Sequence, residues 1–226
     1  IADLCGVMLT TTSILVALLV REKIGRGQYI DISMTDGAAS FFTIPASIYF
    51  AEGEPPIRGE MNLSGGFPCY NVYEAKDGKY ISVGCLEEHF WVNFCKTIGR
   101  EDIIEYQWSK GEKREEVFSI LKNIFKTKTR DEWFNMLAKA DVPVAPVYSL
   151  DEVFKDPQIL HRKVVVEINH SKVGKIKQLK MPIKFSETPE ELRMPAPLLS
   201  QHTKEILQKL GYTERQVEEL RNSRVI

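Results

Sequence analysis

The chain has 226 residues, with 30 Lys and Arg against 31 Asp and Glu and a net charge of −1. That balance leaves no electrostatic footprint for a nucleic-acid backbone and no polybasic run to hold an anionic membrane surface, so neither partner is expected. With 43% hydrophobic and 27% charged residues the composition is that of a globular chain able to build a core, and the length suits one large domain or two smaller ones.

The sequence opens Ile1-Ala2-Asp3, without Met, and passes directly into an apolar run, so it reads as part of a longer protein. Leu4 to Val20 is a little shorter than the roughly 20 residues a bilayer span needs, and Thr10-Thr11-Thr12-Ser13 interrupts it. A buried helix is therefore expected, in a cytoplasmic protein with no membrane partner. Gly25-Arg26-Gly27 supplies a turn, and Gln28 to Ser33 alternates like a strand. Thr35 or Asp36 is placed to cap a helix with its body from Ala38 to Phe50. Glu52-Gly53-Glu54-Pro55-Pro56 breaks that helix and leads into a Gly, Pro, Asn and charge-rich stretch to about Gly66, which marks a connection or a functional loop.

Cys69 to Tyr73 and Tyr80 to Val83 form a hairpin across Asp77-Gly78. Helices follow at Glu87 to Ile98, Glu115 to Lys126 and Thr129 to Ala140, the last opened by Thr129 with Glu132 three residues on. Val142 to Val147 is extended by its prolines. Ser149 caps a short helix through Phe154; strands at Val164 to Ile168 and Gly174 to Lys180 flank a polar turn. The chain ends in two helices, Thr203 to Leu210 and Thr213 to Asn222. This is an α/β chain without internal repeats.

Few residues carry chemistry on spacing alone. Cys5, Cys69, Cys85 and Cys95 include no C-x-x-C pair, and His89, His161, His170 and His202 have no metal-ligand spacing, so reduced structural cysteines and no metal are expected. Asp3 ahead of an apolar helix reads as an N-cap. Gly65-Gly66 is either a plain turn or a place where bare backbone N–H groups meet a developing anion. Glu87-Glu88-His89 at a helix start reads as surface acids favoured by the helix dipole.

Taken in order, Asp3-Leu4-x-Gly6, the helix ending Arg21-Glu22, and Gly25-Arg26-Gly27-Gln28-x-Ile30-Asp31-x-Ser33-Met34 resemble the class III CoA-transferase family. The likeness continues through Gly65-Gly66-x-Pro68, Tyr70-x-Val72-Tyr73-x-Ala75-x-Asp77-Gly78-Lys79-Tyr80-Ile81 and Glu87-x-x-Phe90-Trp91. It extends to Val144-Ala145-Pro146-Val147, Pro182-Ile183-Lys184-Phe185-Ser186 and Pro195-Ala196-Pro197-Leu198-Leu199-x-x-His202-Thr203.

The resemblance implies a Rossmann-like large domain, incomplete here and built from both chain ends, with an inserted small α+β domain. Residues 1–45 would belong to the large domain, 46–63 to a linker, 64–150 to the small domain and 151–226 to a linker and return. An interlocked homodimer is implied. So is an enzyme acting on an acyl-CoA and a small carboxylic acid, with CoA thioester as substrate and no permanently bound cofactor. Asp3 matches the family's catalytic aspartate, Gly65 and Gly66 its glycine loop, and Glu87 a glutamate near the reacting centre. In the family's racemase branch the matching aspartate instead exchanges an α-proton, opposite a histidine that would lie upstream of Ile1. A noncatalytic CoA-binding subunit is the remaining alternative.

Overall fold

A long apolar run that ends in Arg21-Glu22-Lys23 and a glycine dictates the first element. In the computed structural model, which describes residues 1–170, 172–190 and 194–226, it forms helix α1 (Ala2–Ile24), closed by Gly25 at φ 74° with its N–H on the Arg21 carbonyl. Glycine adopts that left-handed cap without steric cost. The expectation of a buried helix is not met within this chain, because only Cys5 and Gly6 of α1 are buried. Apolar residues lie on every side of α1, and a helix of that kind needs neighbours all round.

Its close neighbour is α2 (Met34–Ser40). Their approach depends on glycine: a Cβ on Gly6 would come within 3.1 Å of Met34 Cγ, and one on Gly37 within 2.7 Å of Cys5 Sγ. By length and apolar composition α1 also meets the requirement for a bilayer span. The threonines that interrupt the run do not argue otherwise. Thr11 and Thr12 return their hydroxyls to the Val7 and Met8 carbonyls at 2.9 Å each, so their polarity is satisfied inside the helix.

Gln28 to Ser33 forms no strand, against the expectation from its alternation. A strand exists through its ladder partner, and no segment of the described chain pairs with this one. The helix expected from Ala38 to Phe50 is two helices, α2 and α3 (Thr43–Glu52). Pro45 accounts for the break: in the first turn of α3 it needs no N–H partner, whereas inside a continuous helix its ring would strike the preceding turn. The cap of α2 is Ser33, whose Oγ accepts the Asp36 N–H at 3.2 Å, in place of Thr35 or Asp36.

The hydrophobic core lies between Phe67 and Val142, inside a first unit that spans residues 1–147. β1 (Tyr70–Glu74) and β2 (Tyr80–Gly84) pair antiparallel, from Tyr70 opposite Gly84 to Glu74 opposite Tyr80, across a turn where Gly78 has φ 73°. β3 (Val144–Val147) joins β2 antiparallel as an edge strand, where Pro146 is tolerated.

The other parts of this unit are α4 (Glu88–Thr97), α5 (Gly111–Phe125) and α6 (Arg130–Lys139). Their aromatic side chains bind helices to sheet. Tyr73 stacks on Phe125 at 4.7 Å, and Trp133 meets Phe125 edge-on at 5.2 Å. The Trp91 and Trp133 indoles donate to the Ile104 and Phe125 carbonyls, both at 2.9 Å, so neither polar tip is buried unpaired. Thr129 and Glu132 form the expected reciprocal cap of α6. α5 begins at Gly111 rather than Glu115, after a 3-10 helix over Glu101–Tyr106.

Residues 148–226 form a second unit. It contains α7 (Leu150–Val153), capped by Ser149 as expected, α8 (Pro157–Arg162), the antiparallel hairpin β4 (Val165–His170) and β5 (Gly174–Leu179), and the helices α9 (Thr203–Lys209) and α10 (Glu214–Asn222). The polar turn expected between β4 and β5 includes Ser171, which lies outside the described residues. α8 was not expected, yet its signals are local: Asp156 accepts the Gln158 and Ile159 N–H groups and Pro157 follows the cap. Among the described residues both sheets are antiparallel, and the architecture is mixed α and β.

Candidate functional site

Asp3 lies in the first turn of α1, with Ile1 at the cap position. The N-cap expected from the sequence is therefore not formed, because the helix already includes Asp3 and the cap has no side-chain hydrogen bond. The exposed Asp3 side chain lines an open groove of about 430 Å³ with Gly6, Val7, Thr10, Ile32 and Met34. The Gly6–Met34 approach sets this geometry by holding the start of α2 against the first turn of α1. A carboxylate left out of capping and open to solvent is sterically available to attack an electrophile.

The two loop glycines are required for different reasons. Gly65 has φ 89°, which a side chain disfavours, and its carbonyl accepts the Asn71 amide at 2.6 Å. Gly66 is buried where a Cβ would sit 2.4 Å from the backbone C and O of Glu60. Its N–H donates to the Met61 carbonyl at 3.2 Å. The two amides thus differ as anion donors. That of Gly66 is engaged inside the loop, while that of Gly65 makes no hydrogen bond among the described residues. The far end of the loop is tied down by Tyr73, whose buried hydroxyl donates to the Pro68 carbonyl at 2.7 Å. Gly65 lines a groove of about 650 Å³ that shares no lining residue with the groove of Asp3.

Glu87 occupies the N-cap position of α4 with extended backbone, φ −75° and ψ 141°, but makes no side-chain cap hydrogen bond. Its carboxylate is exposed, and Glu88 supplies the acid of the first turn. Capping therefore does not account for Glu87. Just upstream, the chain leaves β2 through Cys85 and Leu86. Both carbonyls are taken by one buried amide, Gln107 Nε2, at 3.0 and 2.9 Å, and the Gln107 side chain lies in a residue only 6% exposed.

Sequence reasoning missed Asn71, Tyr73 and Gln107 as supports of these loops. Asn71 and Tyr73 are ordinary strand residues by pattern, and Gln107 lies in a segment without motif. A polar residue amid Ile103, Ile104, Tyr106 and Trp108 is the one visible sign of the last.

The four cysteines are free and buried. Burial pushes the Cys69 thiol up to about 11 and those of Cys85 and Cys95 up to about 12; for Cys85 the neighbouring Cys69, Cys95 and Glu87 groups push in the same direction. Thiols held protonated in this way are not nucleophiles at neutral pH. Among the described residues no three His, Cys, Asp or Glu side chains cluster as a metal site.

The chain is 29% identical over 230 residues to "Succinyl-CoA:glutarate CoA-transferase" of Mus musculus, covering 99% of this chain and 52% of that protein. It is 30% identical over 239 residues to "Formyl-CoA:oxalate CoA-transferase" of Escherichia coli O157:H7, strain EC4115, covering 94% and 57%. It thus spans little more than half the length of these curated relatives. A solved CAIB/BAIF family protein from Brucella suis shares the fold with TM-score 0.73 at 24% identity, over 92% of this chain and 55% of that one. The family model described as CoA-transferase family III matches residues 1–203, and the chain belongs to that family.

Proposed function

We propose that this chain supplies the nucleophilic carboxylate of an enzyme that moves CoA from an acyl-CoA to a carboxylic acid. The observation that carries the reading is Asp3: an exposed carboxylate in an open groove, outside helix capping. An Asp3 oxygen attacks the thioester carbonyl carbon, the C–S bond breaks, and CoA leaves as thiolate with the electron pair, giving a mixed anhydride. The thiolate then attacks the aspartyl carbonyl, releasing the first acid and leaving an aspartyl-CoA thioester. The acceptor carboxylate attacks that thioester, and the thiolate liberated takes the new acyl group and frees Asp3.

Each tetrahedral intermediate carries an oxyanion, for which the Gly65 N–H is the candidate donor; one such donor is typically worth about 2.7–4 kcal/mol. Glu87, whose exposed carboxylate makes no cap hydrogen bond, is assigned a place near the reacting centre, where it orients the substrates. Residues 1–45 are assigned to part of a Rossmann-like large domain, 46–63 to a linker, 64–150 to a small domain and 151–226 to a linker and return to the large domain, in an interlocked cytoplasmic homodimer.

The racemase reading draws on the same Glu87, placed beside an α-proton in transit. Two assays on the protein from the complete reading frame separate the readings. Succinyl-CoA with glutarate, and formyl-CoA with oxalate, are the probe pairs suggested by the relatives' names. Product acyl-CoA that disappears in a folded Asp3→Asn variant supports transfer. Solvent deuterium entering the α-carbon of a 2-methylacyl-CoA, without CoA exchange, replaces it with racemisation. Near-normal CoA transfer in Asp3→Asn would refute the mechanism.

A further inference from the structure

Where β2 ends, the chain turns so that two successive carbonyls, those of Cys85 and Leu86, point towards the same interior side. Successive carbonyls of a strand point to opposite sides and are met by ladder partners, and here no backbone donor meets either one. Gln107 Nε2 reaches both, at 3.0 Å to Cys85 and 2.9 Å to Leu86. The next residue is Glu87, whose carbonyl starts α4 by accepting the Phe90 and Trp91 N–H groups at 3.1 and 3.2 Å.

The same turn also meets the strand that leaves the glycine loop, because the Cys69 carbonyl accepts the Cys85 N–H at 2.8 Å. Cys69 follows Gly65-Gly66-Phe67-Pro68 directly, and Pro68 is held from the other side by Tyr73. Among the described residues, Gln107 and Arg130 are the two buried polar or charged residues. Its neighbour Trp108 packs edge-on against Phe67 of the loop at 5.1 Å. A buried amide whose two N–H groups are both spent on backbone carbonyls has little freedom of its own and holds that turn rigidly.

We infer that Gln107 is a positioning residue of the active site: its side chain fixes in one geometry the turn that carries Glu87, which the Cys85 N–H ties to the strand leaving the glycine loop. The inference rests on the role proposed for Glu87. Gln107 touches no reacting atom, and its effect passes through the Cys85–Leu86 carbonyls. Misplacement of a catalytic group by a fraction of an ångström to one ångström lowers turnover while leaving distant binding contacts in place.

The test is a double-mutant cycle in the protein from the complete reading frame, with succinyl-CoA and glutarate as probes. Gln107→Met, which keeps the volume and removes both donors, is expected to lower kcat about tenfold with KM for succinyl-CoA changed less than twofold. Added to Glu87→Gln, it is expected to cost nothing further, because the group it positions is already gone. Losses that multiply, or a Gln107→Met kcat within twofold of the parent, would overturn the inference while Glu87→Gln stays impaired. A Glu87→Gln variant of normal kcat would overturn the role of Glu87 and the inference together. Should Gln107→Met fail to fold, Gln107→Glu gives a second readout. Its protonated carboxyl can still donate to one carbonyl, so kcat should recover towards acid pH relative to the parent, and a parallel pH profile would overturn the inference.

Discussion

Adding one methyl group at Gly66 tests how the glycine loop is built. The Cβ of Gly66→Ala would sit 2.4 Å from the Glu60 carbonyl carbon and oxygen and 2.8 Å from its Cα. These are backbone atoms, so no side chain can swing aside and the chain itself has to move. Overpacking of this kind costs about 1–3 kcal/mol, and losing the Gly66 N–H bond to Met61 adds about 0.5–1.5 kcal/mol. The expected total is about 1.5–4.5 kcal/mol. Gly78→Ala is the control: its φ of 73° imposes strain, but nothing lies within 4 Å of the new Cβ, so it costs only about 1–2 kcal/mol. Urea unfolding of the two variants, monitored by Trp fluorescence, gives the difference, and kcat measured below the transition shows the loop's part in turnover. Gly66→Ala is expected to be the less stable and to lose turnover that Gly78→Ala keeps. Equal stability of the two would refute the close-approach account of Gly66.

Three cysteines make stability fall at alkaline pH. Burial holds Cys69 up to about 11 and Cys85 and Cys95 up to about 12, against an ordinary value of 9.0. The unfolded chain therefore releases these protons first; the stabilisation is complete below about pH 9 and is lost as pH rises towards 11 and 12, by at most about 1.4 kcal/mol per pH unit and thiol. Thermal midpoints at pH 8 and 10 should differ less in Cys85→Ala than in the parent, and an unchanged difference would contradict the buried-thiol account. At the start of α6, Thr129→Ala is expected to cost about 1 kcal/mol. Because Glu132 takes part in the same cap through the Thr129 N–H at 2.8 Å, denaturation of Thr129→Ala, Glu132→Ala and the double variant should show losses that fail to add.

Local chemistry made most of the stretch from Tyr70 to Phe154 legible. The Asp-Gly turn, the Thr129–Glu132 box and the Ser149 cap are each decided by residues a few positions apart, and each forms as expected. Failures arose where partners beyond the local segment decide. Among the described residues Gln28 to Ser33 has a strand's pattern but no ladder partner, and α1 has a core helix's composition but only Cys5 and Gly6 buried. Pro45 and Asp156 were local signals given too little weight.

The site divides in the same way. Asp3, Gly65, Gly66 and Glu87 were visible because their order resembles a family. Their physical condition was not: which glycine amide is already engaged, and that Asp3 and Glu87 leave their carboxylates out of capping, depends on backbone geometry. Asn71, Tyr73 and Gln107 act across turns and between elements, where neither period nor spacing carries a sign.

The central claim is that Asp3 becomes covalently attached to CoA during turnover. Protein from the complete reading frame, incubated with succinyl-CoA without acceptor, quenched in acid and digested, is examined by mass spectrometry for the peptide that contains Asp3. The account predicts a CoA thioester on Asp3 that vanishes when glutarate is added and never forms in Asp3→Asn. An unmodified Asp3 peptide from enzyme that is turning over, or a CoA adduct on another residue, would contradict it.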